Sequence, residues 1–237
     1  MAGDTPGTLE ARQVRAMFDR IAGVYDAMNT LMTAGLHHQW RERAVALAGV
    51  GPGSRVIDVA TGTGDLALAL ERAVAPDGEV VACDFSEAML ARARAKAPAL
   101  RFEWADALAL PYASDSFDAA TVGFGARNFA DLQRGIEEMV RVVRPGGRVV
   151  ILEIARPTRE PLAGFFRAWF DRIVPALGRI AGQRAAYSYL PSSVRRFPAP
   201  RELAAVMDGC GLRAITYVLL AGGIIAIHVG EVASSRR

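Results

Sequence analysis

The segment RVIDVATGTGDLAL, Arg55 to Leu68, admits few architectures. Val56 to Ala60 is a short apolar run with one acid, Asp58, near its middle. Gly62 and Gly64 follow, and a helical pattern of Leu66, Leu68 and Leu70 begins at once. A buried strand that feeds a glycine turn and opens a helix is a ligand-binding unit. Glycines let the backbone approach a bound group, and the free N–H groups at the helix start point at it.

Two cofactor classes use such a unit. Gly62, Gly64 and Ala67 satisfy G-x-G-x-x-A, and Asp84 lies about twenty residues beyond Gly64, where a ribose-binding acid belongs in a dinucleotide site. Charge favours the other class. Asp65 occupies the first helical turn and Asp58 stands just before the loop, so a pyrophosphate would be repelled. S-adenosylmethionine carries an ammonium and a sulfonium, which tolerate acids. The reading is therefore S-adenosylmethionine, with a nicotinamide-dependent oxidoreductase as the alternative and a ligand-free structural turn as the plain one.

The chain alternates strand and helix after this loop. Glu79–Asp84, Leu100–Trp104, Ser116–Gly123 and Arg148–Ile154 read as strands, and Ser86 caps a helix running to Lys96. Asp131–Val143 is a helix stopped by Pro145-Gly146-Gly147. Repeated strand–helix units imply an α/β fold with a parallel sheet covered on both faces. The run Ala214–Gly230 is uncharged but short for a spanning helix, and Gly222-Gly223 breaks it into a hairpin. The organisation expected is a disordered tail over 1–8, helices covering the site over 9–50, and a cofactor-binding core over 51–155. A helical aromatic insert or lid over 156–200 follows, then a closing helix and hairpin over 201–231.

Composition excludes rather than identifies. Hydrophobic residues make up 51% of the 237 and charged residues 22%, as in ordinary globular proteins. The net charge of +3 comes from scattered arginines, which argues against a nucleic-acid partner and is compatible with an anionic membrane surface. Cys83 and Cys210 form neither a disulfide framework nor a metal spacing, which suits a reducing cytosol, and no metal site is expected. The start MAGDTPGTLE has no apolar core and does not read as a secretory signal.

Three acids, Asp58, Asp84 and Asp106, stand in or just beyond successive strands, and ligands of open α/β sheets sit at those ends. Asp84 can bind both ribose hydroxyls. Asp106 can accept from an adenine amino group while the Ala107 amide meets a ring nitrogen. Each acid alone is more ordinarily a cap or surface charge. After the fourth strand comes FGARNF. Arg127 can stabilise an oxyanion and Asn128 can orient a hydroxyl; the plainer reading is that both begin the next helix. Leu162, Phe165, Phe166, Trp169, Phe170, Ile173 and Val174 recur at helical spacing with Arg167, Arg172 and Arg179. Such a stripe packs on the core as a lid, on a second copy of the chain, or on a membrane surface.

Several segments together resemble the ubiquinone/menaquinone biosynthesis C-methyltransferases. They are FDRIAGVYDAMN (Phe18–Asn29), ATGTGD (Ala60–Asp65), DALALP (Asp106–Pro111) and FGARN (Phe124–Asn128). RPGG (Arg144–Gly147), YSYL (Tyr187–Leu190) and AGGIIAIH (Ala221–His228) complete the set, so the likeness spans about residues 12 to 231. It implies the class I methyltransferase fold, a Rossmann-like, mostly parallel seven-stranded sheet with an antiparallel last strand. It implies methylation of a ring carbon of a prenylated quinol by S-adenosylmethionine, with demethylmenaquinol favoured over the ubiquinone precursor. Cysteine usage, basic charge and the aromatic stripe lead to the expectation of a cytoplasmic protein able to touch the inner face of the membrane. By this likeness Thr63, Asp84, Asp106 and Ala107 bind the cofactor. Gly123 replaces a frequent serine, leaving only its backbone for contact, and Ala60-Thr61 replaces a more glycine-rich loop start. Tyr25, Arg127 and Asn128 fall at the quinol head group. His37 is the histidine placed best to act as a base, although a structural role is the commoner fate of such a residue; His228 reads as packing.

Overall fold

The computed structural model describes residues 11–23, 25–174, 176 and 184–234. The tail expected to be disordered, residues 1–8, and Arg179 of the basic set lie outside these. Helices α1 (Ala11–Ile21), α2 (Tyr25–Thr33) and α3 (Leu36–Ala48) precede the sheet. The first half of the sheet follows as β1 (Arg55–Val59), α4 (Asp65–Val74), β2 (Glu79–Asp84), α5 (Glu87–Lys96) and β3 (Arg101–Trp104). Then come β4 (Phe117–Gly123), α6 (Leu132–Val142) and β5 (Val143–Ile154). Helix α7 (Leu162–Ala168) runs on as a π-helical turn, Trp169–Ile173. Helices α8 (Arg184–Arg196) and α9 (Pro200–Gly209) lead to β6 (Leu212–Leu220) and β7 (Ile225–Val232).

The seven strands lie in the order β3-β2-β1-β4-β5-β7-β6. β3, β2, β1, β4 and β5 pair in parallel, and β7 runs antiparallel to both β5 and β6. The expected fold is thus the observed one. Side-chain alternation divides the core in two. Ile57, Val59, Val81, Val122 and Ile151 face α6 and α9, packing on Ile136, Met139, Leu203 and Met207. Val56, Val80, Ala119, Val150 and Leu152 face the other way, onto Trp40, Ala44, Leu70, Leu90 and Ala93 of α3, α4 and α5. A third apolar cluster joins α1 to Met89 of α5 and to Val174 and Tyr189. That cluster ties α1 and α2 to Trp169, Val174, Tyr189 and Leu190, and these elements line the cavities described below.

Local signals hold with two adjustments. The Ser86 hydroxyl accepts from the Met89 amide as the expected cap. The RPGG run does end α6, but it belongs to β5 as a bulge rather than preceding it, and the register with β4 shifts there. Arg127 and Asn128 do not open α6; they sit in a separate turn of 3₁₀-helix, and Asp131 caps α6 through the Arg134 amide.

Candidate active site

The order of strands reverses between β1 and β4, and two adjoining cavities lie over that switch point. The smaller, about 110 Å³, is bordered by Asp58, Gly62, Thr63, Asp84, Asp106, Ala107 and Gly123. The larger, about 330 Å³, is bordered by Tyr25, Arg127, Asn128 and a mostly apolar wall from α1, α3, α7 and α8. Phe18, Tyr25, Arg41, Phe124 and Asn128 belong to both walls. The residues expected to bind a cofactor and those expected at an acceptor are therefore brought to two connected compartments.

Gly64 is the exception, because it does not border the cofactor cavity. It caps α4 at φ +85°, and a Cβ there would lie 3.0 Å from the Phe102 ring. Its work is the turn and a close helix approach. Gly62, at φ +58°, would point a Cβ into open space, which leaves its backbone accessible to a ligand. At Gly123 the room for a side chain is taken by Leu66, whose Cδ2 would lie 3.0 Å from a Cβ. A side chain at this position would therefore require Leu66 to shift by a few tenths of an ångström.

The acids divide by environment. Asp58 is fully buried and accepts from Thr61 Oγ1 at 2.6 Å and Thr121 Oγ1 at 2.7 Å. Asp84 accepts from the Gly62 amide at 2.8 Å and the Ser86 amide at 2.9 Å, so it holds the glycine loop in place. Burial pushes both carboxyls up to about 6, offset in part by those donors. Asp106 is exposed and accepts from the Leu108 amide. Asp65 behaves differently from the expectation. Its carboxylate meets Arg41 at 3.3 Å and Lys96 at 2.7 Å. Burial alone would raise it, but the two cations hold it below the usual carboxylate range. The repulsion of a pyrophosphate that the sequence assigned to Asp65 is therefore largely cancelled. Thr63 is also engaged, donating to Asp26 of α2 at 2.5 Å.

Arg127 is buried and paired with Glu153 of β5 at 2.7 Å, while its main-chain amide donates to the other Glu153 oxygen. Burial opposes its charge, yet Glu153 and neighbouring Tyr25 keep it firmly protonated. Its Nε–H and the Asn128 side-chain oxygen are buried and have no hydrogen-bond partner among the described residues. A donor and an acceptor, adjacent in sequence, thus stand unsatisfied at the acceptor cavity. Phe124, before them, holds φ +60°, a left-handed conformation that a bulky residue adopts only when its surroundings enforce it. Glu153, Arg41 and Asp26 were not read from the sequence. An acid inside the apolar strand RVVILEI was the available signal for Glu153, since a buried charge requires a partner.

The cofactor compartment fits S-adenosylmethionine: buried acids for its cationic end, an open glycine cradle, Asp84 at the end of β2, and Asp106-Ala107 at the rim. A sheet of this order with β7 reversed and such a compartment at its switch point defines a class I S-adenosylmethionine-dependent methyltransferase. Comparison narrows the class. Residues 7–232 match the model of the ubiE/COQ5 methyltransferase family, and the chain belongs to that family. The chain is 48% identical to the demethylmenaquinone methyltransferase of Thermus thermophilus, over 91% of this chain and 99% of that one. It is 40% identical to the ubiquinone/menaquinone biosynthesis C-methyltransferase UbiE of Geobacter sulfurreducens, over 94% and 90%. Among solved structures, the [4+2]-cyclase SpnF superposes with a TM-score of 0.70 at 16% identity, over 98% of this chain and all of that one. A methyltransferase from Aquifex aeolicus does so at 0.57 and 18%, over 81% and 89%. These likenesses describe the fold; a cyclase on the same frame illustrates that the reaction is set by the site.

Proposed function

We propose that this enzyme methylates a ring carbon of a prenylated hydroquinone, taking demethylmenaquinol to menaquinol. The observation that carries the reading is the unsatisfied pair at the larger cavity. The Arg127 Nε–H can donate to a quinol oxygen as it gains negative charge, and the Asn128 oxygen can accept from a hydroxyl. The rest of that cavity is mostly apolar, as a naphthol ring and the start of a prenyl tail require. Relatives named demethylmenaquinone methyltransferase support the naphthoquinol over the ubiquinone precursor.

When bound, S-adenosylmethionine supplies an electrophilic methyl group. This chain's residues hold the two reactants together and manage charge. Asp58 and Asp84, buried at the floor of the compartment, would place negative charge beneath the cofactor's cationic and ribose portions. Arg127, fixed by Glu153, lowers the cost of ionising the acceptor. Tyr25 and Phe124, common to both walls, align the ring against the cofactor compartment. The aromatic insert serves as a lid: Phe166, Trp169 and Phe170 border the cavity, while Phe165 and Ile173 stay exposed, suited to contact with a membrane surface that delivers the substrate.

The test is a methyl-transfer assay with labelled S-adenosylmethionine and, in separate reactions, reduced demethylmenaquinone and the reduced ubiquinone precursor. Product mass should rise by one methyl group in place of hydrogen with the first. Transfer only to the second would overturn the assignment of head group, and transfer to neither would overturn the quinol reading.

A further inference from the structure

The reaction proposed above takes a proton from a quinol hydroxyl, to be returned later, and loses one from the ring carbon, so the acceptor compartment needs a base. The described residues bordering the larger cavity include no aspartate and no glutamate. Its titratable members are Tyr25, His37, Arg41, Arg127 and Tyr189. The two arginines are cations, and burial drives the Tyr189 hydroxyl further from ionising. His37 is the remaining group with a nitrogen lone pair.

Hydrogen bonding bears on which nitrogen that is. The Thr33 hydroxyl oxygen lies 2.7 Å from the Asn29 carbonyl oxygen, to which it can donate its one proton. The same oxygen lies 2.7 Å from His37 Nδ1, and with its proton on the carbonyl it accepts there from Nδ1–H. That tautomer, which the proposal requires, leaves Nε2 bare, and Nε2 has no hydrogen-bond partner among the described residues. Helix geometry explains the arrangement. Asn29 and Thr33 are one turn apart on α2, and His37 lies on the first turn of α3. The sharp turn at Gly35 brings the two helices together.

We propose that His37 is the general base of the methyl transfer, accepting the quinol hydroxyl proton at Nε2; this rests on the quinol reading above. The hydroxyl O–H bond breaks toward Nε2 and the ring carbon ortho to that oxygen becomes nucleophilic. A carbon–carbon bond forms to the methyl group as the methyl–sulfur bond breaks, its electron pair going to sulfur to give a neutral thioether. The ring C–H proton then leaves to water and restores aromaticity. The oxygen regains its proton from His37, so one proton is released per turnover.

The surroundings set the pH range. Burial, Arg41 and His38 depress the imidazole to about 4, against opposing contributions from Asp65 and Asp26. The ring is neutral and able to accept from about pH 5 upward. A phenolate forming beside it supplies the counter-charge that raises its basicity as the proton moves.

The test combines His37→Ala with a tautomer measurement on the wild-type enzyme. For His37→Ala, kcat should fall about 10²- to 10³-fold, with the affinities for S-adenosylmethionine and reduced demethylmenaquinone kept and activity partly restored by added imidazole. Thr33→Val keeps the ring but releases its orientation, and should cost about 3- to 10-fold in kcat with little change in KM. Nitrogen-15 NMR of the His37 ring should report hydrogen on Nδ1. A kcat for His37→Ala within about threefold of wild type, in a methyltransferase active on the quinol, sinks the base assignment alone. An Nε2–H tautomer does so independently, even if His37→Ala does not fold. A wild-type enzyme that binds S-adenosylmethionine but leaves the quinol unmethylated overturns the quinol reading instead.

Discussion

At the scale of single residues, two buried carboxyls make cofactor binding a function of pH. Asp58 and Asp84 each titrate near 6, because burial penalises their charged forms more than the hydroxyl and amide donors relieve them. A cationic ligand prefers the ionised acids and so lowers both values on binding. Affinity is then fully present above pH 6 and is lost as pH falls through 6 toward 4. Titration calorimetry of S-adenosylmethionine between pH 5 and 8 should show Kd falling as pH rises, with proton release near pH 6. Asp58→Asn should flatten that dependence. The same raised values mean that the ligand-free fold loses stability as pH rises from about 4 to 6, where it binds more protons than the unfolded chain. Affinity unchanged across the range would remove both acids from the cofactor's charge recognition.

At the scale of elements, the N-terminal helices are fastened over the cofactor compartment by acids. Asp19 of α1 accepts from Ser86, the cap of α5, at 2.5 Å. Asp26 of α2 accepts from Thr63 of the glycine loop and pairs with Lys96 of α5 at 2.6 Å. Partly exposed ion pairs contribute about 0–1 kcal/mol each, so removing them should loosen the cover rather than unfold it. Asp26→Asn together with Asp19→Asn should speed S-adenosylmethionine dissociation by about 3- to 10-fold. Stopped-flow release measures this, and thermal unfolding should be little changed. Equal release rates would leave α1 and α2 without a part in retention. What sequence could show and what it could not separate here. The sheet was legible because alternation, glycine turns and Ser86 act locally, over a few residues. The helices were legible as segments, but their fastenings join positions far apart in the chain, such as Asp26 with Lys96 and Arg127 with Glu153. Pattern along the chain carries no information on such pairs. For the same reason Asp65 was read as a free charge when two cations occupy it.

At the scale of the molecule, a charged compartment holding acids adjoins an apolar one without them, and the two meet at Phe18, Tyr25, Arg41, Phe124 and Asn128. The apolar compartment, about 330 Å³, suits a ring and the first part of a tail. A long prenyl chain has to leave it. Leu36, at the start of α3, and Phe165, on α7, border the cavity and also face solvent. Leu31 is exposed on α2, and Ile173 is exposed on the turn that continues α7, next in sequence to Arg172; neither borders the cavity itself. No helix among the described residues is long and apolar enough to cross a membrane. Exposed apolar side chains with arginines near them in sequence suit the lipid contact proposed above, a tail passing between bilayer and cavity. Leu31→Glu with Ile173→Glu therefore separates delivery from chemistry. Turnover of a long-tailed quinol embedded in anionic vesicles should fall at least about tenfold, since each buried apolar side chain contributes about 1.5–3 kcal/mol to attachment. Turnover of a short-tailed quinol dissolved in buffer should stay at the wild-type rate, because ring, cofactor and base are untouched. Equal losses with both substrates would instead make Leu31 and Ile173 part of the fold around the cavity, and equal wild-type rates with both would mean that the substrate reaches the cavity without these two side chains.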